Sequence, residues 1–206
     1  MVIPIELRET SPMNSQLKSE EDYPVKSWKL NDSAWFRRTK DPLGDFSNFA
    51  VGMSIKIHGF EIQSSEHLYQ AMRFPHLPDV QFQILDADSP KTCKTVAREH
   101  DGSSRSDWDE IRVDVMRWVL ARKILANTKR MENVFKLSKD LPIVEFSKAD
   151  SFWGAGPEWD GSEILKGRNI LGCLLAELRK EFRKDRQLRS SAKPHFHRAL
   201  LLFKPI

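Results

Sequence analysis

Residues 106–127 read SDWDEIRVDVMRWVLARKILAN, and the reading of this stretch decides the fold. A Ser or Asp stands at its start as a cap, and acids fill its first turn, as at a helix N-terminus. Ile111, Val115 and Val119 form one apolar stripe, and Met116, Leu120 and Ile124 form another. Two stripes mean burial over a wide arc, so the spacing predicts a central helix.

Shorter elements flank it. SSEHLYQAMRF (64–74) starts after a serine cap and stops at Pro75. PDVQFQILDA (78–87) and SPKTCKTVAREH (89–100) each carry a proline near a helix start. RMENVFKLSK (130–139) and NILGCLLAELRKEF (169–182) complete the helices. SAWFRR (33–38) and IVEFS (143–147) are strand candidates, and MSIKIHGFEIQS (53–64) alternates on both sides of His58-Gly59, as a β-hairpin does. KDPLGDFSNFA (40–50) and KADSFWGAGPEWDGSEILKGRN (148–169) are expected to be loops. The expectation is an α+β fold, a mostly helical single domain with a small β-sheet or hairpin. Residues 1–30 are expected as a flexible lead-in, 31–185 as the domain, and 186–206 as a tail, basic and then apolar.

The 206 residues suffice for one domain with a core. The net charge of +4 is uneven: from Lys166 to Ile206 there are eleven Lys and Arg against three Asp and Glu, a surplus of +8 that leaves the remainder near −4. A basic C-terminal third suits a polyanion such as nucleic acid, or forms a solvated helix face with a tail. No apolar run is long enough to cross a bilayer, and no secretory pattern opens the chain, so the cytoplasm is the expected location. Cys93 and Cys173 make no disulfide framework. Glu66 and His67 are adjacent, which is not the zinc-helix pattern, and HFH (195–197) lacks a Cys or acidic companion. There is no G-x-G-x-x-G and no P-loop, so neither a metal nor a cofactor is predicted.

What remains is acids among aromatics. DFSNF (45–49) sets Asp45, Ser47 and Asn48 between Phe46 and Phe49, which alone reads as a turn. DSFWGAGPEWDG (150–161) alone reads as a loop pinned by aromatics, although indole faces also stack on bases. Glu66, in a first helical turn, gains roughly 0.3–1 kcal/mol from the helix dipole without any chemistry. The polar stripe Glu66-Gln70-Arg73 opposes Leu68-Ala71-Met72 and by itself reads as surface.

Five phrases occur in a telling order: LGDFSNFA (43–50), SSEHLYQAMRF (64–74), SDWDEIRVDVM (106–116), IVEFSKADSFWGAG (143–156) and GRNILGCLLAELR (167–179). The set resembles the NADAR superfamily. That family includes bacterial N-glycosidases acting on riboflavin-pathway intermediates. It also includes antitoxins that remove ADP-ribose from guanine in DNA, paired with a DNA ADP-ribosyltransferase toxin.

The resemblance implies a hydrolase of N-glycosidic bonds. With the basic third, it implies removal of ADP-ribose from guanine bases of DNA, with a toxin as possible partner. The alternatives are a phosphoribosyl-aminopyrimidine substrate or a non-catalytic ADP-ribose-binding module. Glu66 and Asp150 are the implied catalytic acids, with Glu145 a third candidate, and Lys40 is a candidate amine nucleophile. The substrate-binding set comprises Arg37, Arg38, Asp45, Phe46, Asn48, Trp108, Trp153, Gly154 and Asn169. Arg73 stands where relatives often carry Lys, and is expected to clamp an anion.

Overall fold

The computed structural model describes residues 18–206. The central helix, α4, runs Trp108–Ala126, and both of its apolar stripes are buried, together with Val113, Trp118 and Ala121. Asp107 does not cap it, because the Arg105 guanidinium holds both of its carboxylate oxygens at 2.6 and 2.9 Å. Around α4 stand α1 (Ser65–Ala71), α2 (Pro78–Asp86), α3 (Pro90–Glu99), α5 (Thr128–Leu137) and α6 (Ile170–Lys184). Ser64 caps α1 and Ser89 caps α3, while prolines open α2 and α3, so the local starting signals operate as read.

The β-structure is dispersed. Strand β2 (Ala34–Phe36) pairs in parallel with β5 (Ile143–Glu145), aligning Phe36 with Glu145. β3 (Ile55–Ile57) and β4 (Phe60–Ile62) form the expected hairpin. His58 and Gly59 turn it with positive φ, the twist that a two-residue hairpin loop requires. The stretch 148–169 is not all loop. It contains β6 (Gly156–Pro157) and β7 (Ile164–Gly167), and β7 pairs with both β6 and β1 (Lys26–Lys29).

Both ends of the described chain pack onto the domain. Of the expected lead-in, residues 1–17 lie outside the described residues. From Lys18 the chain is tied down by buried Tyr23, by β1, and by the Arg168 guanidinium, which donates to the Glu20 and Tyr23 carbonyls. The segment after Asp185 folds back, burying Leu188, Phe196 and Leu201. It ends in the small hairpin of β8 (Leu200–Leu201) and β9 (Lys204–Pro205). Buried Gln81 bridges this hairpin to the body: its amide donates to the Ala71 and Leu200 carbonyls, and its carbonyl accepts the Leu202 N–H. The apolar ending is therefore a packing element.

One contact sets the position of β5. Gly172 lies so close to it that a Cβ would meet the Ile143 carbonyl oxygen at 2.1 Å. Fully buried Asn169 brackets the same strand, accepting the Glu145 N–H at 3.0 Å and donating to the Ile143 carbonyl at 2.8 Å. The start of α6 thereby fixes the end of β5, where Glu145 sits. No described helix is long and apolar enough to cross a membrane.

Candidate active site

All seven residues of α1 are buried, so Glu66 and Gln70 of its polar stripe are withdrawn from bulk water, while Arg73, beyond the helix end, is half-buried. Glu66, 5% exposed, accepts from the Gln70 amide at 2.8 Å. The Gln70 carbonyl in turn accepts from Arg73 at 3.2 Å. Arg73 also donates to Asp101 at 2.5 Å and to Ser104 at 2.8 Å. The stripe is thus a hydrogen-bonded relay that orients the Glu66 carboxylate. Arg73, expected to clamp an anion, lines the cavity; its terminal nitrogens are engaged with Gln70, Asp101 and Ser104, while its buried Nε has no partner among the described residues.

His67 anchors the helix from its other face. Its Nε2 lies 3.0 Å from the Ala87 carbonyl and its Nδ1 2.7 Å from the Ser64 hydroxyl, an arrangement that fits a neutral ring with the proton on Nε2. Burial holds its pKa below the usual histidine range.

Glu66 opens on a cavity of about 370 Å³. Half-buried Glu145, at the end of β5, and Asp150, in the following loop, line the same space. Burial raises the Glu66 pKa; the Lys94 charge and the Gln70 hydrogen bond oppose the rise, and the Asp150 charge adds to it. Glu145 is pushed up to about 7, by burial first and then by the charges of Asp150 and Glu66. Like charges sharing one site resist ionising together, which adds to the upward shifts of Glu66 and Glu145. Asp150 has a second duty, since its Oδ1 accepts the Phe152 and Trp153 N–H groups at 3.0 and 2.9 Å and so turns the loop.

The walls are aromatic. Tyr69 packs on Trp108 with ring centres 5.0 Å apart, and on the edge of Trp153 at 5.6 Å. The rim is cationic, formed by Lys94 and Arg98 from α3, Arg112 from α4, and Arg73. Asn48 closes one side; its amide donates to the Met116 sulfur, and its buried Oδ1 has no partner among the described residues. The Asn48 carbonyl accepts the Glu66 N–H at 3.2 Å, tying the 45–49 loop to α1. Beneath this loop, fully buried Lys123 donates to the Ser47 carbonyl at 2.7 Å. Desolvation brings the Lys123 amine down to about 7.

The cavity therefore gathers Glu66, Glu145, Asp150, Asn48, Arg73, Trp108 and Trp153 from the sequence reading. Other candidates stand apart from it. Lys40, Arg37 and Arg38 are exposed and do not line it; the Asp41 carboxylate takes the N–H groups of Arg37 and Arg38, and the Arg37 guanidinium lies over the Phe146 ring. Asp45 is ion-paired with Arg130, and Phe46 is a fully buried core residue. At Gly154 a Cβ would meet the Glu145 carbonyl oxygen at 2.7 Å, and Asn169 is spent on β5. Conversely, Tyr69, Lys94, Arg98 and Arg112 line the cavity without having been singled out, whereas Gln70 belongs to the polar stripe read from the sequence. Lys94 and Arg98 are four apart on a polar helix face, a pattern that resembles any solvated face. Among the described residues no group of three or more His, Cys, Asp or Glu side chains could hold a metal ion.

The NADAR domain model matches residues 35–183, most of the chain. The protein is a member of the NADAR family. Its NADAR domain is 32% identical to the Escherichia coli N-glycosidase YbiA over 146 residues, covering 71% of this chain and 86% of YbiA. It is likewise 32% identical to an N-glycosidase of Nostoc punctiforme over 156 residues, covering 72% of this chain and 92% of that protein. A riboflavin biosynthesis protein of Vibrio vulnificus is 34% identical over 159 residues; the chain spans only 41% of that relative's length. The NADAR fold here superposes on the NMR structure of E. coli YbiA with a TM-score of 0.63 at 29% identity, covering 75% of this chain and 88% of that one.

Proposed function

We propose that this NADAR protein is an N-glycosidase that hydrolyses the bond between ribose C1 and an amine or base nitrogen, most favourably on a small phosphoribosyl amine of the aminopyrimidine type. The observation that carries the reading is the meeting of Glu66, Glu145 and Asp150 in one aromatic-walled cavity. Breaking C1–N leaves positive charge on the sugar and requires a proton on the departing nitrogen. Glu145, which holds its proton to about pH 7, donates to that nitrogen. Glu66, whose pKa burial raises against the opposing Lys94 charge and Gln70 hydrogen bond, faces the developing cation and, in its ionised form, takes a proton from the attacking water. Water supplies the oxygen that replaces nitrogen on C1, leaving a free sugar and a free amine. The unpartnered Asn48 Oδ1 suits a ribose hydroxyl.

The same chemistry on ADP-ribosyl guanine in DNA is the second reading, drawn from the basic C-terminal third. Its support is weaker than the charge count suggests. Lys166, Arg168, Arg183, Arg186 and Arg189 are all ion-paired within the chain, to Glu158, Glu20, Asp140, Glu132 and Asp185, which leaves less free cation for a phosphate backbone. The same pairing leaves a partner transferase as a proposal tied to that second reading. The test offers the protein a phosphoribosyl-aminopyrimidine and a short DNA carrying ADP-ribosyl guanine, and follows release of sugar. Cleavage of the small substrate is expected. Cleavage of the DNA alone would put the second reading in its place, and no cleavage of either would overturn both.

A further inference from the structure

Strand β2 presents an open edge. Among the described residues it pairs with β5 alone. The Ala34 N–H donates to the Pro142 carbonyl at 2.8 Å, and the Phe36 carbonyl accepts the Phe146 N–H at 2.8 Å. Successive residues of a strand point their backbone groups to opposite sides, so Trp35 turns its N–H and C=O away from β5. No described strand lies on that side.

A groove of about 430 Å³ lies beside this edge. It is lined by Ala34 and Trp35 of β2, by Pro42 and Leu43 of the loop that follows, and by Leu137 and Leu141 around the end of α5. Three of these side chains are large, apolar and exposed: Trp35 at 43%, Leu137 at 61% and Leu141 at 38%. The charge around the groove is one-sided. Lys139 lines it, and Lys136, Arg38 and Lys40 flank its lining segments; all four are exposed, with no carboxylate within ion-pair distance among the described residues. The nearby acids are engaged. Asp41 takes the Arg37 and Arg38 N–H groups at 2.8 and 2.7 Å, and Asp140 is paired with Arg183.

A plainer account treats these as scattered surface residues beside an edge too short to aggregate. That account covers Trp35, Leu137 and Leu141 one at a time. It leaves unexplained why two distant segments bring them around one groove, next to unpaired strand backbone. An open edge binds an extended chain through main-chain hydrogen bonds, and pockets beside it select alternate side chains. A cationic border selects acids.

We propose that the groove beside β2 is a docking site for an extended, acidic segment of a partner protein, which adds as a strand to the free edge and sets its apolar side chains against Trp35, Leu137 and Leu141. The proposal is independent of the hydrolysis proposed above, because the groove and the acidic cavity share no lining residue.

The experiment pans a random 12-residue peptide library on the full chain and measures the enriched peptides by fluorescence anisotropy. Enriched peptides should carry apolar residues at alternate positions and more Asp and Glu than Lys and Arg. A scan of backbone N-methylation along one such peptide should weaken binding by roughly tenfold at every second residue and little at those between, since only one side of an added strand faces β2. Leu137→Asp and Leu141→Asp alter exposed side chains, so thermal midpoints should hold while binding falls by roughly tenfold or more. Lys139→Asn keeps a residue that tolerates the positive φ at this position and removes the charge. It should weaken binding about two- to fivefold at low salt, and less at high salt. The proposal is overturned by a library that enriches no such peptide, by an N-methylation scan without the two-residue period, or by binding that survives both aspartate variants. Sedimentation at rising concentration tests the other occupant: a dimer that Leu137→Asp abolishes would show that a second copy of the chain covers the groove, and would also overturn it.

Discussion

Helices α1 and α3 are both short, both serine-capped, and both send charged side chains into the same cavity. They differ in what surrounds them. α1 is buried on every side, whereas α3 buries only Cys93 and Ala97. Burial pushes the α1 carboxylate toward its protonated form, while the α3 cations keep a face to water and have no described ion partner. The charged residue on one wall is thus a desolvated carboxyl, and those on the other are solvated cations. Desolvation adds to the difference in residue type.

The contrast breaks most sharply at Glu66. Glu66→Gln keeps the shape and the Gln70 contact but removes the ionisable group, and should lower kcat by about 10²- to 10⁴-fold. Its thermal midpoint should hold or rise, because a desolvated carboxyl is gone. A midpoint that collapses would show Glu66 to be chiefly structural.

Glu145 tests the same wall through pH. Its folded pKa of about 7 lies above the ordinary 4.5. The folded state therefore binds this proton more tightly, and the stability it contributes is full below about pH 4.5 and lost as pH rises toward about 7. Glu145→Gln should raise unfolding free energy by about 1–3 kcal/mol at pH 8 and by almost nothing at pH 4. It should also remove most turnover. Equal denaturation midpoints for the two proteins at pH 8 would contradict the raised pKa.

Arg73→Ala sharpens the difference between orienting and binding. It removes hydrogen bonds to Gln70, Asp101 and Ser104 and should cost about 1–2 kcal/mol of stability. Turnover should fall through the misaligned Glu66, alike for phosphorylated and unphosphorylated substrates. A selective loss on the phosphorylated one would restore the anion-clamp role. The smallest effect belongs to Lys40→Ala, an exposed position outside the cavity, where kcat/KM should change less than about twofold.

The helices were legible because their signals are local. A serine or proline at the start identifies α1, α2 and α3, and apolar spacing identifies α4, without reference to anything distant. β6 and β7 escaped because two- to four-residue strands carry little periodicity, and the partner β1 lies far away in sequence. The packed C-terminal segment escaped for a similar reason, since the residues that hold it, Gln81, Arg105, Arg117 and Trp118, lie far away in sequence. At the site, the acids and indoles stood out because they recur in recognisable phrases. Lys94 and Arg98 did not, because an i, i+4 cation pair looks the same on a cavity wall as on an open surface.

The sequence by itself determined the helices, the central place of α4, the family and the identities of the three acids. Only the tertiary structure decided their surroundings. It buried the whole of α1, set Glu145 beside Glu66 through the Asn169 and Gly172 contacts on β5, spent Arg73 on protein partners and left Arg98 without a described one. The physical reason is that a side chain's ionisation depends on its solvation and on its neighbours' charges, and long-range packing sets both.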